Sequence, residues 1–451
     1  LLKQRIEDGL REGSHEQVYF SADDVRCAIR KLKPGKSDGV AFFSDHVING
    51  GAALHEHLSL LLNSMLVHGY TPDALLASTF VSIPKNQKSS LSKSSNYRSI
   101  ALCSAICKVV DLIILDKWSD RLATSNLQFG FKGNHSTVLC TAVLKEIVRH
   151  YMNKNSTVYA LFLDASKAFD KVHYGRLFSL LIERNVPLLV LRFLLDSYTR
   201  QTASVSWNGA RSANFCLTNG VKQGGILSPI LFTIYFDELL MRLKQAGFGC
   251  HIEGEYAGAL CYADDLTLLS PSLLGMNAML EICAKFAAEY SVAFNPSKTV
   301  AIPFCPRNLG VLGTPILNGT AIAWANEVKH LGNYVQSNLD DSRDIRYKRS
   351  VFIGSVNKLI SNFHFVSYEV MCRLFLTHCM SFYGSQMWQL SSSGLRALFT
   401  TWNIAVRRIL KLPRRAHTWT LGPLLKTKHL KTLLLSRTLT FLKSCAHSCN
   451  S

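Results

Sequence analysis

Two adjacent carboxylates, Asp264 and Asp265, stand between two short apolar runs, Gly258–Tyr262 and Leu266–Leu269. Runs of this length on either side of a brief polar break read as two strands joined by a tight turn. Strands bound for a core cannot carry unpaired charge into it, because a buried ion without a partner is strongly unfavourable. The turn therefore has to present both carboxylates at an exposed tip, where their oxygens suit a hard divalent cation such as Mg²⁺. Taken alone, Tyr262-Ala263-Asp264-Asp265 is equally an ordinary solvated turn.

A third carboxylate adds weight to the metal reading. Val158–Leu163 reads as a strand, and Asp164 follows it where the strand gives way to Ala165-Ser166-Lys167-Ala168-Phe169-Asp170. Three carboxylates from neighbouring strands meet the needs of a two-metal site for phosphoryl transfer, which requires ligands and positioning rather than a protein nucleophile. No Ser-His-Asp or Cys-His arrangement competes with it.

The rest of the chain supplies a setting. Of 451 residues, 48% are hydrophobic and 18% charged, the balance of a globular protein with room for two or three regions. No uninterrupted apolar run is long enough to span a membrane, so no membrane partner is expected. The first residue is Leu1, as expected of a segment of a longer product. The net charge of +19 is unevenly placed: beyond Glu369 there are twelve Lys and Arg and no Asp or Glu. A basic end beside a nearly balanced body suggests a phosphate-binding surface. The thirteen cysteines are scattered singly, as expected of reduced thiols inside a cell. Cys445, His447 and Cys449 have the ligand types of half a zinc site, but no second pair is present to close it.

Ser21 and Asp24 read as a helix start, and Leu54–His68 as a second helix ending at Gly69. Gly35-Lys36-Ser37 lacks the upstream glycine of a phosphate-binding loop, since Arg30 stands there. Thr79–Pro84 reads as a strand, and Leu177–Tyr198 and Met276–Tyr290 as helices. The pattern is α+β, with an antiparallel sheet backed by helices. It divides into an N-terminal helical extension (1–76), a middle region (77–342) and a basic helical region (343–451).

With these residues in view, the chain resembles reverse transcriptases, specifically those of LINE-type (non-LTR) retrotransposons. An ordered series carries the likeness: Val81-Ser82-Ile83-Pro84-Lys85, Asn96-Tyr97-Arg98-Ser99-Ile100-Ala101-Leu102, Gln128-Phe129-Gly130-Phe131 and the Asp164 segment, then Asn219–Pro229, Tyr262–Asp265, Asn295-Pro296-Ser297-Lys298-Thr299 and His330-Leu331-Gly332-Asn333-Tyr334. Ser99 and Lys222 stand where the family usually has proline, and neither change removes a ligand. The resemblance implies a right-hand polymerase fold of fingers, palm and thumb. It implies two Mg²⁺ ions, replaceable by Mn²⁺, on Asp164, Asp264 and Asp265. Lys85 and Arg98 would contact the triphosphate of a deoxynucleotide, and Ala165, Gln223 and Gly224 would line its pocket. Phe169 would gate against a ribose 2′-hydroxyl, Lys298 would protonate pyrophosphate, and Leu331 and Gly332 would grip the primer end. Arg407, Arg408, Lys411, Arg414 and Arg415, with Trp402 and Trp419 nearby, would hold the backbone of an RNA template paired with a DNA primer or target. Copying at chromosomal DNA would place the protein in the nucleus at that step. Two other readings remain. An RNA-dependent RNA polymerase also uses an Asp-Asp turn, though Phe169 and Ala263 argue against it. A relic that binds nucleic acid without polymerising is the other, and the intact carboxylate trio argues against it.

Overall fold

The structure, a computed structural model, describes residues 2–13, 16–39, 43–86, 90–165, 168–305 and 313–448. Ser166, Lys167 and Cys449 lie outside the described residues.

Four strands form the sheet at the centre, in the order Val300–Phe304, Val158–Asp164, Asp265–Ser270, Ala259–Tyr262, and every neighbouring pair is antiparallel. Both faces are covered. Leu161, Leu163, Leu266 and Leu268 pack into one apolar cluster with the helices Ser228–Ala246 and Leu273–Glu289. Ala160, Phe162, Leu260, Leu269 and Ile302 turn the other way, into a second cluster with helix Thr137–Asn153. Side chains alternate across a strand, so burial on both sides requires the unbroken apolar runs seen in the sequence.

A second sheet is mixed. Tyr97–Leu102 runs antiparallel to Ala77–Pro84, which in turn runs parallel to Thr202–Trp207. The N-terminal helices join the first cluster through Ile6, Val25, Leu58 and Leu62, with Phe20 just ahead of the second helix. The start of helix Ala22–Arg30 is a full capping box, in which Ser21 and Asp24 satisfy each other's backbone amides. Helix Gly51–His68 ends on left-handed Gly69.

One expected helix is two. Leu177–Tyr198 divides into Tyr174–Glu183 and Leu188–Thr199. Asn185 takes a left-handed φ of 56°, and Pro187 has no amide hydrogen to continue the ladder. The apolar spacing runs on across the break, which is why periodicity alone joins the two halves.

Residues 345–434 build a separate core around Phe352, Phe375, Leu398 and Trp402. A buried ion pair ties this body to the central one: Lys145 Nζ lies 2.6 Å from Asp341 Oδ1, and Asp341 Oδ2 accepts from the Gln389 amide. Among the described residues, no helix is long and apolar enough to cross a membrane.

Candidate active site

The hairpin between Ala259–Tyr262 and Asp265–Ser270 has a two-residue loop, Ala263 and Asp264. Ala263 has a φ of 58°, a left-handed conformation that glycine adopts far more readily. On its other edge Asp265 pairs directly with Asp164, the last residue of its strand. Sheet register thus sets Asp164 and Asp265 side by side at one end of the sheet, with Asp264 on the adjoining loop.

Their charges strain one another. Burial pushes the Asp265 carboxyl up to about 6, helped by the charges of Asp264 and Asp164. Burial also raises Asp264, and Asp164 adds to the rise while the Arg98 guanidinium opposes it. Asp265 is nonetheless exposed to solvent. One cation offsets part of this charge: Lys298 Nζ lies 3.3 Å from Asp164 Oδ2. The Lys298 loop is anchored to the same strand end, since the Asn295 amide donates to the Asp164 carbonyl. All the donors are carboxylate oxygens, which suit a hard divalent ion. Among the described residues, no group of three or more His, Cys, Asp or Glu side chains is gathered closely enough to hold a metal ion by itself. The trio instead fits an open site, in which water and substrate phosphates complete the ligand shell.

The residues flanking the trio have defined places. Arg98 lies on an exposed strand opposite Ile83. Lys85 is tied to the same hairpin, its ammonium donating to the Ser95 carbonyl at 2.9 Å. Gln223 and Gly224 dock on that strand: the Ala101 amide donates to the Gln223 carbonyl at 2.6 Å. Gly224 has a φ of 123°, and a Cβ there would lie 2.3 Å from the Ala101 carbonyl oxygen, so only glycine fits. Phe169 stacks on Phe232 at 4.2 Å between ring centres and meets Phe131 edge-on. Ala165 is buried just past Asp164 and bridges to Phe294.

Leu331 and Gly332, with φ of 44° and 82°, form the turn of the hairpin Glu327–His330 and Asn333–Gln336. Positive φ at both turn residues matches a tight two-residue hairpin loop. Helix Ser342–Asn362 holds this turn: Lys348 Nζ donates to the Gly332 carbonyl at 2.7 Å, and Asp344 accepts from the Tyr334 amide and from Trp388 Nε1. Nothing in the sequence reading singled out Lys348, Asp344 or Asp341. Their signal is only that charged residues stand in, or just ahead of, a helix that packs inward.

The basic cluster is not gathered at the trio. It belongs to the separate C-terminal core, and its members differ. Arg407 is committed to the Ala416 carbonyl, and Arg408 bonds Asn357 Oδ1. Lys411, Arg414 and Arg415 are exposed. Trp402, grouped with the basic cluster in the sequence, is fully buried and packs the core instead; Trp419 is 75% exposed.

Carboxylates paired across the end of an antiparallel sheet, with Arg98 near enough to oppose the rise at Asp264, are the arrangement that a palm-type nucleotidyl-transfer polymerase needs. Residues 83–335, more than half of the chain, match the family described as reverse transcriptase (RNA-dependent DNA polymerase). The chain belongs to that family, and its relatives set it among the LINE-type, non-LTR members. It is 27% identical over 351 residues to the RNA-directed DNA polymerase from mobile element jockey of Drosophila funebris, covering 75% of this chain and 37% of that protein. It is 26% identical over 295 residues to the type-1 retrotransposable element R2 polyprotein of Popillia japonica, covering 64% and 40%. The chain therefore spans well under half the length of these relatives. A telomerase from Candida albicans, solved with a fragment of telomeric RNA, aligns over 82% of this chain and 68% of its own, at 12% identity and a TM-score of 0.44.

Proposed function

We propose that this segment extends a DNA primer on an RNA template, using deoxynucleoside triphosphates and two Mg²⁺ ions for which Mn²⁺ can substitute. The pairing of Asp164 directly against Asp265, with Asp264 on the adjoining loop, is the observation that carries the reading. The chemistry such ions supply when bound is Lewis-acid activation of the primer hydroxyl and neutralisation of the departing pyrophosphate. Asp164, Asp264 and Asp265 hold them. Arg98 and Lys85 approach the triphosphate from the fingers, a bidentate fork and a point charge. Ala165, Gln223 and Gly224 line the nucleotide pocket, and the Phe169 ring excludes a 2′-hydroxyl. Lys298, once released from Asp164, would give a proton to the leaving pyrophosphate, a role that its nearness to the Asp164 carboxylate supports. Leu331 and Gly332 support the primer end, while exposed Lys411, Arg414 and Arg415 face the template–primer backbone, and Arg407 and Arg408 brace that region through Ala416 and Asn357. In the complete protein a nicked DNA target supplies the primer, which implies work in the nucleus.

Extension of oligo(dT) on poly(A) tests the nucleotide choice. The wild type should incorporate dTTP strongly over UTP. Phe169→Val should raise relative UTP use by about 10- to 100-fold. A wild type that prefers UTP would point instead to RNA synthesis.

A further inference from the structure

We infer that Gln128 is a positioning residue for the metal site: its side chain holds Ala263 in the conformation that aims Asp264 at its neighbours. Gln128 is completely buried, 135 residues away in sequence, and its amide is spent on the catalytic loop. The Ala263 amide donates to Gln128 Oε1 at 2.9 Å, and Gln128 Nε2 donates to the Ala263 carbonyl at 3.3 Å. The Gly130 amide shares the same Oε1 at 2.8 Å, which fixes which amide atom is the oxygen. One side chain thus clasps both backbone groups of a single residue, as a neighbouring strand would.

Ala263 needs the clasp. It is the only non-glycine residue with positive φ in the loop between the paired strands, and alanine does not rest in that region unaided. The surroundings are built to the same end. The Phe129 amide donates to the Cys261 carbonyl and the Cys261 amide to the Leu127 carbonyl, so the Gln128 segment runs as an added edge beside the hairpin. The Cys261 thiol also donates to the Ala263 carbonyl at 3.1 Å. A Cβ on Gly130 would lie 2.4 Å from the Ala263 nitrogen, so the close approach depends on glycine there. Without the clasp Ala263 is free to return to a negative φ, which turns Asp264 away from Asp164 and Asp265.

The inference rests on the trio holding divalent ions, and the test separates the two. Mn²⁺ binding to the purified chain is read by the loss of the free-ion electron paramagnetic resonance signal, alongside primer extension and RNA binding. Gln128→Met removes the clasp at similar volume and should weaken Mn²⁺ binding by about 10- to 100-fold, the range for residues that orient metal ligands. RNA affinity should stay at the wild-type value. Adding Ala263→Gly to Gln128→Met should recover part of the loss, because glycine enters the left-handed region without a partner. A general structural role would give no such recovery. Gln128→Asn, which keeps a buried amide but withdraws it from the loop, should show the same loss if the methionine variant does not fold. Wild-type Mn²⁺ affinity in either folded variant would overturn the proposal. Wild-type chain that binds Mn²⁺ and makes no DNA would overturn the polymerase reading while leaving this one standing.

Discussion

At the scale of single residues, the protein keeps several polar groups in unusual settings, and His330 gives the cleanest consequence. Its ring is buried against Phe162 at 4.9 Å, with no partner for Nε2 among the described residues. Burial holds its pKa down at about 4, against 6.5 unperturbed. The folded state therefore keeps His330 neutral where the unfolded chain takes up a proton. Stability is unaffected above pH 6.5 and falls as pH drops from 6.5 towards 4, by up to about 3 kcal/mol in total. Chemical denaturation across that window should show the fall, and His330→Leu should flatten it. An unchanged slope in the variant would assign the acid sensitivity to other groups. The acidic trio was legible in the sequence because charge bracketed by apolar strands has few explanations. The work of Gln128 was not legible. Its motif stood out as a string, but an amide that serves a backbone across 135 residues is visible only once the strands are placed.

At the scale of elements, the strands and helices follow from local pattern, and the exceptions have local causes. Unbroken apolar runs made three strands of the central sheet readable, while the edge strand Val300–Phe304 gave no such signal. Thr202–Trp207 alternates polar and apolar residues as a half-buried strand does, but its small Ala and Ser residues weaken the signal; it pairs parallel with Ala77–Pro84 and antiparallel with Ala210–Arg211 and Phe215–Cys216. The helix break at Asn185–Pro187 carried a visible proline that the apolar spacing overrode. The Gln223–Gly224 loop offers a test at this scale. Gly224→Ala adds a Cβ that meets the Ala101 carbonyl at 2.3 Å and strains a φ of 123°. Local strain of about 1–3 kcal/mol should detach the loop from the strand. Single-nucleotide incorporation should then show a raised KM for the deoxynucleotide, with the affinity for template–primer unchanged. A wild-type KM would mean that the loop does not shape the nucleotide pocket.

At the scale of the whole molecule, two bodies with separate cores meet at a buried polar junction. Lys145 and Asp341 join them there, and Lys348 and Asp344 hold the Leu331–Gly332 turn from the C-terminal side. The charge asymmetry read from the sequence lies on the second body, though its individual cations are not equivalent. Replacing exposed Arg414 and Arg415 together by alanine should lower the salt dependence of RNA binding, reducing the log–log slope by up to about 2. Arg407→Ala should instead lower thermal stability and leave that slope nearly unchanged, because its guanidinium already serves the Ala416 carbonyl. Equal slopes for the wild type and the Arg414, Arg415 double variant would remove these two residues from the nucleic-acid surface. Sequence composition located this end of the molecule. Which cations face outward depended on packing around Trp402, which composition does not encode.

The account turns on the three carboxylates acting together at the end of the central sheet. Primer extension on a poly(A)–oligo(dT) duplex with Mg²⁺, comparing the wild type with Asp264→Asn, tests this most directly. Loss of one charged ligand removes several kcal/mol of transition-state stabilisation, so the wild type should make DNA and the variant none that is visible. DNA synthesis by the Asp264→Asn variant at the wild-type rate would contradict the account.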